Sequence, residues 1–486
     1  MKRVSLVPAL GLLFFILFPF SFLIFKLNRI GSVDSVEFAW ALRNSVEQAA
    51  VSASLSLLLG WIFFSALVQI KHSFGAKIFR GVEVLSLVPG MLPSLFTIII
   101  LLGLIQPFPM GLLGVILIHG AIYSGFTALN IYQLVQDKAQ GLIEVAYVLG
   151  ATRRQIIWQV VRSVKWELVS LWCMIFCVCF TSFAVPLAVG GGWGTTLEVL
   201  IYEKIRISGD YSQALSISLL QSGFLFLFSF VQRGGVSLQM GRFSPVPILG
   251  SWASALLIFG FLGLFYLTFV SYSLRGWSQL LQSQEVLNSV VECAPATLLA
   301  GLLCGAVVYL WMNLAALSWG QSWLRKFLIG YVAPSTALAG LIIVLLNPES
   351  FFKQLIFFVL AFVSVVFCGL YRMGFEQKLS SLKNQIEVAQ VLGADLGLIF
   401  RKIVFPQIHP LAARLAGIAA LWIVGDFALS KVIFSQDVVL AQIVQGLANS
   451  YHLDIGMAVM NIVIVMGLVL YFIFERFGRV FSSKPT

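Results

Sequence analysis

The sequence predicts an all-α membrane protein with about twelve transmembrane helices, arranged as two six-helix repeats. Composition is the first reason. The 486 residues are 59% hydrophobic and only 10% charged, whereas soluble domains carry roughly 25% charged residues. Mean hydropathy is +0.97, and so few charged side chains cannot cover a water-exposed surface of this size. The second reason is a recurrence of apolar stretches of spanning length. The third is an internal repeat at a shift near 244 residues. A soluble enzyme, a disordered chain and a nucleic-acid binder are excluded, despite a net charge of +11 and a pI near 9.4.

A spanning helix needs about 20 apolar residues. The first candidate covers 4–25, behind Met1, Lys2 and Arg3. It is too long for a signal peptide, and no small-residue cleavage site precedes Lys26 and Arg29. Further segments lie at 45–69, 82–105, 112–134, 168–189, 213–232, 247–274, 288–314, 328–347, 354–372, 411–430 and 455–475. With both termini in the cytoplasm, about 23 of the 31 Lys and Arg residues fall on the inner side, as the positive-inside rule requires. The basic excess therefore reflects topology. Cys173, Cys177, Cys179, Cys293, Cys304 and Cys368 lie inside apolar runs, without CxxC spacing, and read as small buried hydrophobes.

Residues 143–151 read IEVAYVLGA and residues 386–394 read IEVAQVLGA, matching at eight of nine positions. Chance identity among Leu- and Val-rich helices does not explain a best match in a polar loop. The register also holds elsewhere: Asn44 and Ser45 align with Asn288 and Ser289, Phe183 and Ala184 with Phe427 and Ala428, and Asp210 with Asp454. An even number of spans per half makes this a parallel duplication. The expected domains are 1–240 and 241–486, joined through the connector 233–247.

The repeated nonapeptide sits in the longest cytoplasmic loop of each half. In the second copy Glu387, Ala389 and Gly393 are followed by Ile403, Phe405 and Pro406. Helix formers run up to Leu392, with Val388, Val391 and Leu392 forming an apolar face. Gly393 allows a sharp turn. A second helix bearing Arg401 and Lys402 is then expected to stop near Pro406. The first copy keeps Glu144, Ala146 and Gly150 but has Val160, Arg162 and Ser163 at the closing positions, without the proline. One copy alone would fit an ordinary amphipathic surface loop; two copies at equivalent positions select a rigid knob that seats in a partner.

This spacing of Glu, Ala, Gly and a closing Ile-x-hydrophobic-Pro resembles the EAA loop of ABC importer permeases. The chain as a whole is similar to a fused pair of type I ABC permease domains, in the branch holding bacterial thiamine and iron(III) permeases. The runs FAVPLAVGGG at 183–192, TTLE at 195–198 and LLQ at 219–221 look like the thiamine type, and GDF at 425–427 is shared with iron permeases. The resemblance implies a bacterial inner-membrane protein fed by a periplasmic solute-binding protein and driven by a cytoplasmic ABC ATPase dimer. No GxxxxGK[ST] motif occurs, so ATP and magnesium would be bound by that partner and no cofactor by this chain.

Ionisable groups inside spans are functional candidates. Asp426 lies in the eleventh segment, where its repeat partner is Ser182, and an acidic group there suits a cationic solute. It would equally hydrogen-bond a neighbouring helix near a membrane interface. Glu47 and Glu292 read as interfacial or packing residues, and Glu198 falls in an outer loop. His72, His119, His409 and His452 are scattered, so no metal set and no catalytic constellation is assigned. A secondary transporter is the alternative, since six-plus-six duplications also occur there. It would not need a duplicated cytoplasmic knob.

Overall fold

A computed structural model describes residues 6–14, 16, 31–229, 247–330, 336–346 and 348–480. Most of the first expected span, the boundary near 240 with most of its connector, and Lys2, Arg3, Lys26, Arg29, Arg233, Arg242 and Lys484 lie outside the described residues. The described chain is an all-α membrane protein. Its first half comprises α1 (Ser35–Met91), α2 (Ser94–Leu104), α3 (Leu112–Val148), α4 (Arg153–Ser163), α5 (Lys165–Phe180), α6 (Ala184–Val189), α7 (Leu197–Arg206) and α8 (Tyr211–Ser229). The second comprises α9 (Trp252–Gln282), α10 (Gln284–Leu317), α11 (Ser322–Gly330), α12 (Thr336–Leu346), α13 (Phe351–Leu370), α14 (Glu376–Ser381), α15 (Lys383–Val391), α16 (Leu396–Ile399), α17 (Phe405–Val424), α18 (Ala428–Ile433), α19 (Leu440–Asn449) and α20 (Leu453–Val480). Among the described residues, seven helices are long and apolar enough to cross a membrane, or eight if the bent pair α4–α5 is one span.

Helix starts follow local chemistry. Asp34 accepts from the N–H groups of Val36 and Glu37 at the head of α1, and Ser251 and Ser350 cap α9 and α13 in the same way. Three segments expected as continuous spans are interrupted. The segment 82–105 breaks at Leu92 and Pro93, 168–189 at 181–183, and 411–430 at 425–427. Hydropathy averages over a window and does not see a break of two or three residues. Helix ends recur between the halves at a shift of 242 to 244 residues: Leu104 with Leu346, Val148 with Val391, Phe180 with Val424 and Ile433 with Val189.

Packing does not respect the order of the chain. Leu95, Phe96, Ile99, Val185 and Val189, from α2 and α6 of the first half, are buried in the core built mainly by the second. Reciprocally, Leu341, Ile342, Ala428 and Val432, from α12 and α18, lie in the core built mainly by the first. The helix breaks are what allow these short pieces to lean across.

Candidate functional site

Both copies of the repeated loop form the same helical hairpin. The N–H of Ala151 bonds to the carbonyl of Ala146 and that of Gly150 to Tyr147; Ala394 bonds to Ala389 and Gly393 to Gln390 in the second copy. This is the Schellman geometry, and Gly150 and Gly393 occupy its left-handed position at φ +76° and +81°. The return helix is capped by Thr152, in a capping box with Gln155, or by Asp395, which accepts from Leu398 N–H.

The hairpins are anchored at the base and open at the tip. Ile143, Ile156 and Val160 are buried in the first, and Ile386, Ile399 and Val404 in the second. Ala146 and Ala389 are half-buried, whereas Glu144 and Glu387 are exposed. Glu144 accepts from Gln140 at 2.9 Å, and Glu387 pairs with Lys383 at 3.6 Å. The tips are apolar: Val148 and Leu149 are 84% and 79% exposed, Val391 and Leu392 88% and 80%. Glycine, the two acids and the apolar tip residues come together as the sequence suggested. Ile156 and Val160 were legible only as a four-residue apolar period beyond the matched motif.

The closing positions behave differently from expectation. The return helix of the second copy does not stop near Pro406. After α16, Phe400–Val404 forms a π-helical turn, with Ile403 half-buried, that runs directly into α17, and Pro406 occupies the first turn of that helix. Pro406 thus lies inside a helical run, Leu396–Val424, that continues through it directly after the π turn. The first copy, which lacks the proline, is the one that breaks: α4 and α5 meet at 67°. A second π turn, Tyr371–Phe375, interrupts the outgoing arm of the second copy, whereas α3 of the first copy is unbroken. Long helices bend at such turns.

The interrupted spans meet between the halves. The indole N–H of Trp422 donates to the Met91 carbonyl at 3.0 Å. A Cβ placed on Gly425 would fall 2.0 Å from Pro93 Cγ. Asp426, beside this contact, accepts from Leu429 N–H at 3.1 Å through Oδ2 and so caps α18. In the first half its repeat partner Ser182 lies 3.0 Å from His119 Nε2, and Ser52 approaches the other ring nitrogen at 3.4 Å. Discontinuous helices near the middle of a bilayer are where transporters place their solute sites.

Glu198, expected on the outer side, is a buried residue. It is fully buried in α7 and accepts from Gln221 Nε2 at 2.9 Å. An acid near the start of a short helix, with a Gln on the next one, carries no periodic signal that would have placed it. Glu47 pairs with Arg43 at 2.7 Å, and Glu292 is exposed. All six cysteines are free and buried.

Residues 297–485 match the family described as binding-protein-dependent transport system inner membrane component. This stretch contains the second hairpin, the Trp422 contact and Asp426. The matched stretch is similar to a permease domain of that family. The thiamine transport system permease protein ThiP of Haemophilus influenzae is 37% identical over 123 residues, 24% of this chain. The match spans only 23% of that relative's length. No solved structure matches the chain. Within the matched stretch, α15 and α16 are the hairpin, and α17 leads from it to the Gly425–Asp426 break.

Proposed function

We propose that the chain is the permease subunit of an ABC importer, made of two type I domains at 1–240 and 241–486. Its solute is a small cation of the thiamine type, with iron(III) the alternative. The supporting observation is the pair of hairpins whose left-handed glycine tips expose Val148, Leu149, Val391 and Leu392. Apolar residues at the end of a rigid, polar-sided knob have no lipid to face if the hairpins lie in the cytoplasm. They fit a groove on a cytoplasmic ABC ATPase dimer, one subunit under each half. A periplasmic binding protein would deliver the solute to the opposite face.

ATP binding would close the ATPases and draw the knobs together. Because α2 and α6 reach into the core of the second half while α12 and α18 face both cores, movement of either half shifts pieces of both. The contact of Trp422 and Gly425 with Met91 and Pro93 then separates or closes around Asp426. The permease supplies two discrete packings, and the ATPase supplies the free energy that selects between them.

Reconstitution tests this. Proteoliposomes holding the chain, its ATPase and its binding protein should accumulate labelled thiamine only with ATP. Uptake by the chain alone, without nucleotide, would establish a secondary transporter instead.

A further inference from the structure

A cleft of about 570 Å³ opens at the far end of α3 from the first hairpin, where both halves contribute walls. Cavities that hold small ligands run from roughly 300 to 1,000 Å³. The segment ahead of α3 gives Gln106 and Phe108, α9 gives Tyr272 and Gln279, and the turn into α20 gives Tyr451 and Asp454. Gln106 Nε2 donates to Tyr272 Oη at 3.3 Å, so the two halves are joined across the cleft. The lining holds one carboxylate and one imidazole, His452, and neither Lys nor Arg.

The repeat supplies an internal control. Asp210, the counterpart of Asp454, is exposed and accepts from Gln213 N–H at 2.9 Å, capping its helix. Asp454 lies one residue inside α20, and its Oδ1 is buried without a hydrogen-bond partner. A buried carboxylate oxygen left unpaired is costly, and an arriving cation would satisfy it. Tyr451 takes the left-handed position, φ +58°, of the Schellman turn that ends α19, a place usually held by glycine. Aromatic faces beside a single acid are the surroundings that bind organic cations.

We propose that this cleft is a binding site for a small organic cation carrying a ring or quaternary nitrogen, with Asp454 as counter-ion and Tyr272 and Tyr451 as aromatic walls. The assignment rests on the importer reading for its role: the cleft lies on the face away from the ATPase, where solute arrives before the path opens.

Titration calorimetry on the full chain in nanodiscs, without nucleotide, tests the site apart from transport. Thiamine and tetraethylammonium should bind saturably, and nicotinate, a ring of opposite charge, should not. Asp454→Asn should weaken both cations at least tenfold, and Tyr272→Ala should weaken them more than Tyr272→Phe. Asp210→Asn should leave them unchanged. Equal binding by wild type and Asp454→Asn, binding of nicotinate alongside the cations, or no saturable binding of either cation overturns the site. Failure of the importer reading shows separately, as ATP-independent uptake in proteoliposomes.

Discussion

Trp422 and Met91, 331 residues apart in sequence, are joined by an indole-to-carbonyl hydrogen bond of 3.0 Å. The bond ties α17 to the end of α1, at the point where each helix is interrupted, and Gly425 packs against Pro93 beside it. Trp422→Phe removes the donor while keeping an aromatic ring. It should lower stability by about 0.5–1.5 kcal/mol, read as a fall in detergent melting temperature, and raise crosslinking between probes placed on the two halves. Gly425→Val inserts volume against Pro93, at a cost of about 1–3 kcal/mol. A melting temperature equal to wild type would show that this contact is loose.

The hairpin acids lie exposed beside apolar tips. Glu387→Lys should reduce ATP-driven uptake at least tenfold, with membrane insertion unchanged. Glu144→Lys should cost less, since the bend between α4 and α5 uncouples the first tip from the span behind it. Paired uptake and co-purification of the ATPase measure this. A larger loss at Glu144 would reverse the ranking of the two halves.

Gly393 stands at φ +81° and Gly150 at +76°. An alanine in that region costs roughly 1–2 kcal/mol. Either substitution should speed amide exchange in its own hairpin and leave the other hairpin protected. Exchange spreading into both hairpins would mean that the knobs are not independent units.

Asp426→Asn keeps an oxygen to accept from Leu429 N–H and removes only the negative charge. Uptake of a cationic solute should fall while ATPase assembly and melting temperature hold. Asp426→Ala should lower melting temperature as well, because the cap on α18 is lost. Wild-type uptake by the asparagine variant would leave Asp426 with capping alone.

Glu203 lies half-buried in α7, and its carboxyl is pushed up mainly by burial and further by Glu37, with Lys204 opposing. An acid whose folded pKa is raised is destabilising above that pKa, and the penalty fades as pH falls through it. Glu203→Gln should therefore raise melting temperature at pH 7, and the gain should shrink on acidification. A gain that stays constant with pH would point to packing instead.

Much of this arrangement was legible in the sequence, because its signals are local and repeated. IEVAYVLGA and IEVAQVLGA carry helix, turn glycine and apolar tip in nine residues, and the structure gives both the same Schellman turn. The helix breaks at Leu92, Ser182 and Gly425 were not legible, since apolar windows run straight across them. Pro406 misled for a related reason. Proline inside a helix usually ends or kinks it, yet here the helix runs on through Pro406 directly after a π turn. The burial of Glu198 was not legible because its partner, Gln221, lies on another helix. The reach of α2 and α6 into the second core, and of α12 and α18 into the first, is a purely tertiary fact.

The π turn at Phe400–Val404 resolves a mismatch in chain length. From Gly150 to Phe180 is thirty steps along the backbone, and from Gly393 to Val424 thirty-one. An added residue in an α-helix would swing everything beyond it by about 100°, turning the inward stripe toward lipid. A widened turn swallows the surplus. Leu415, Ala419, Ala420 and Ile423 consequently point inward just as Leu171, Ile175, Phe176 and Cys179 do. An insertion that could have scrambled one bundle is thereby confined to a single loop of backbone, next to the knob it supports.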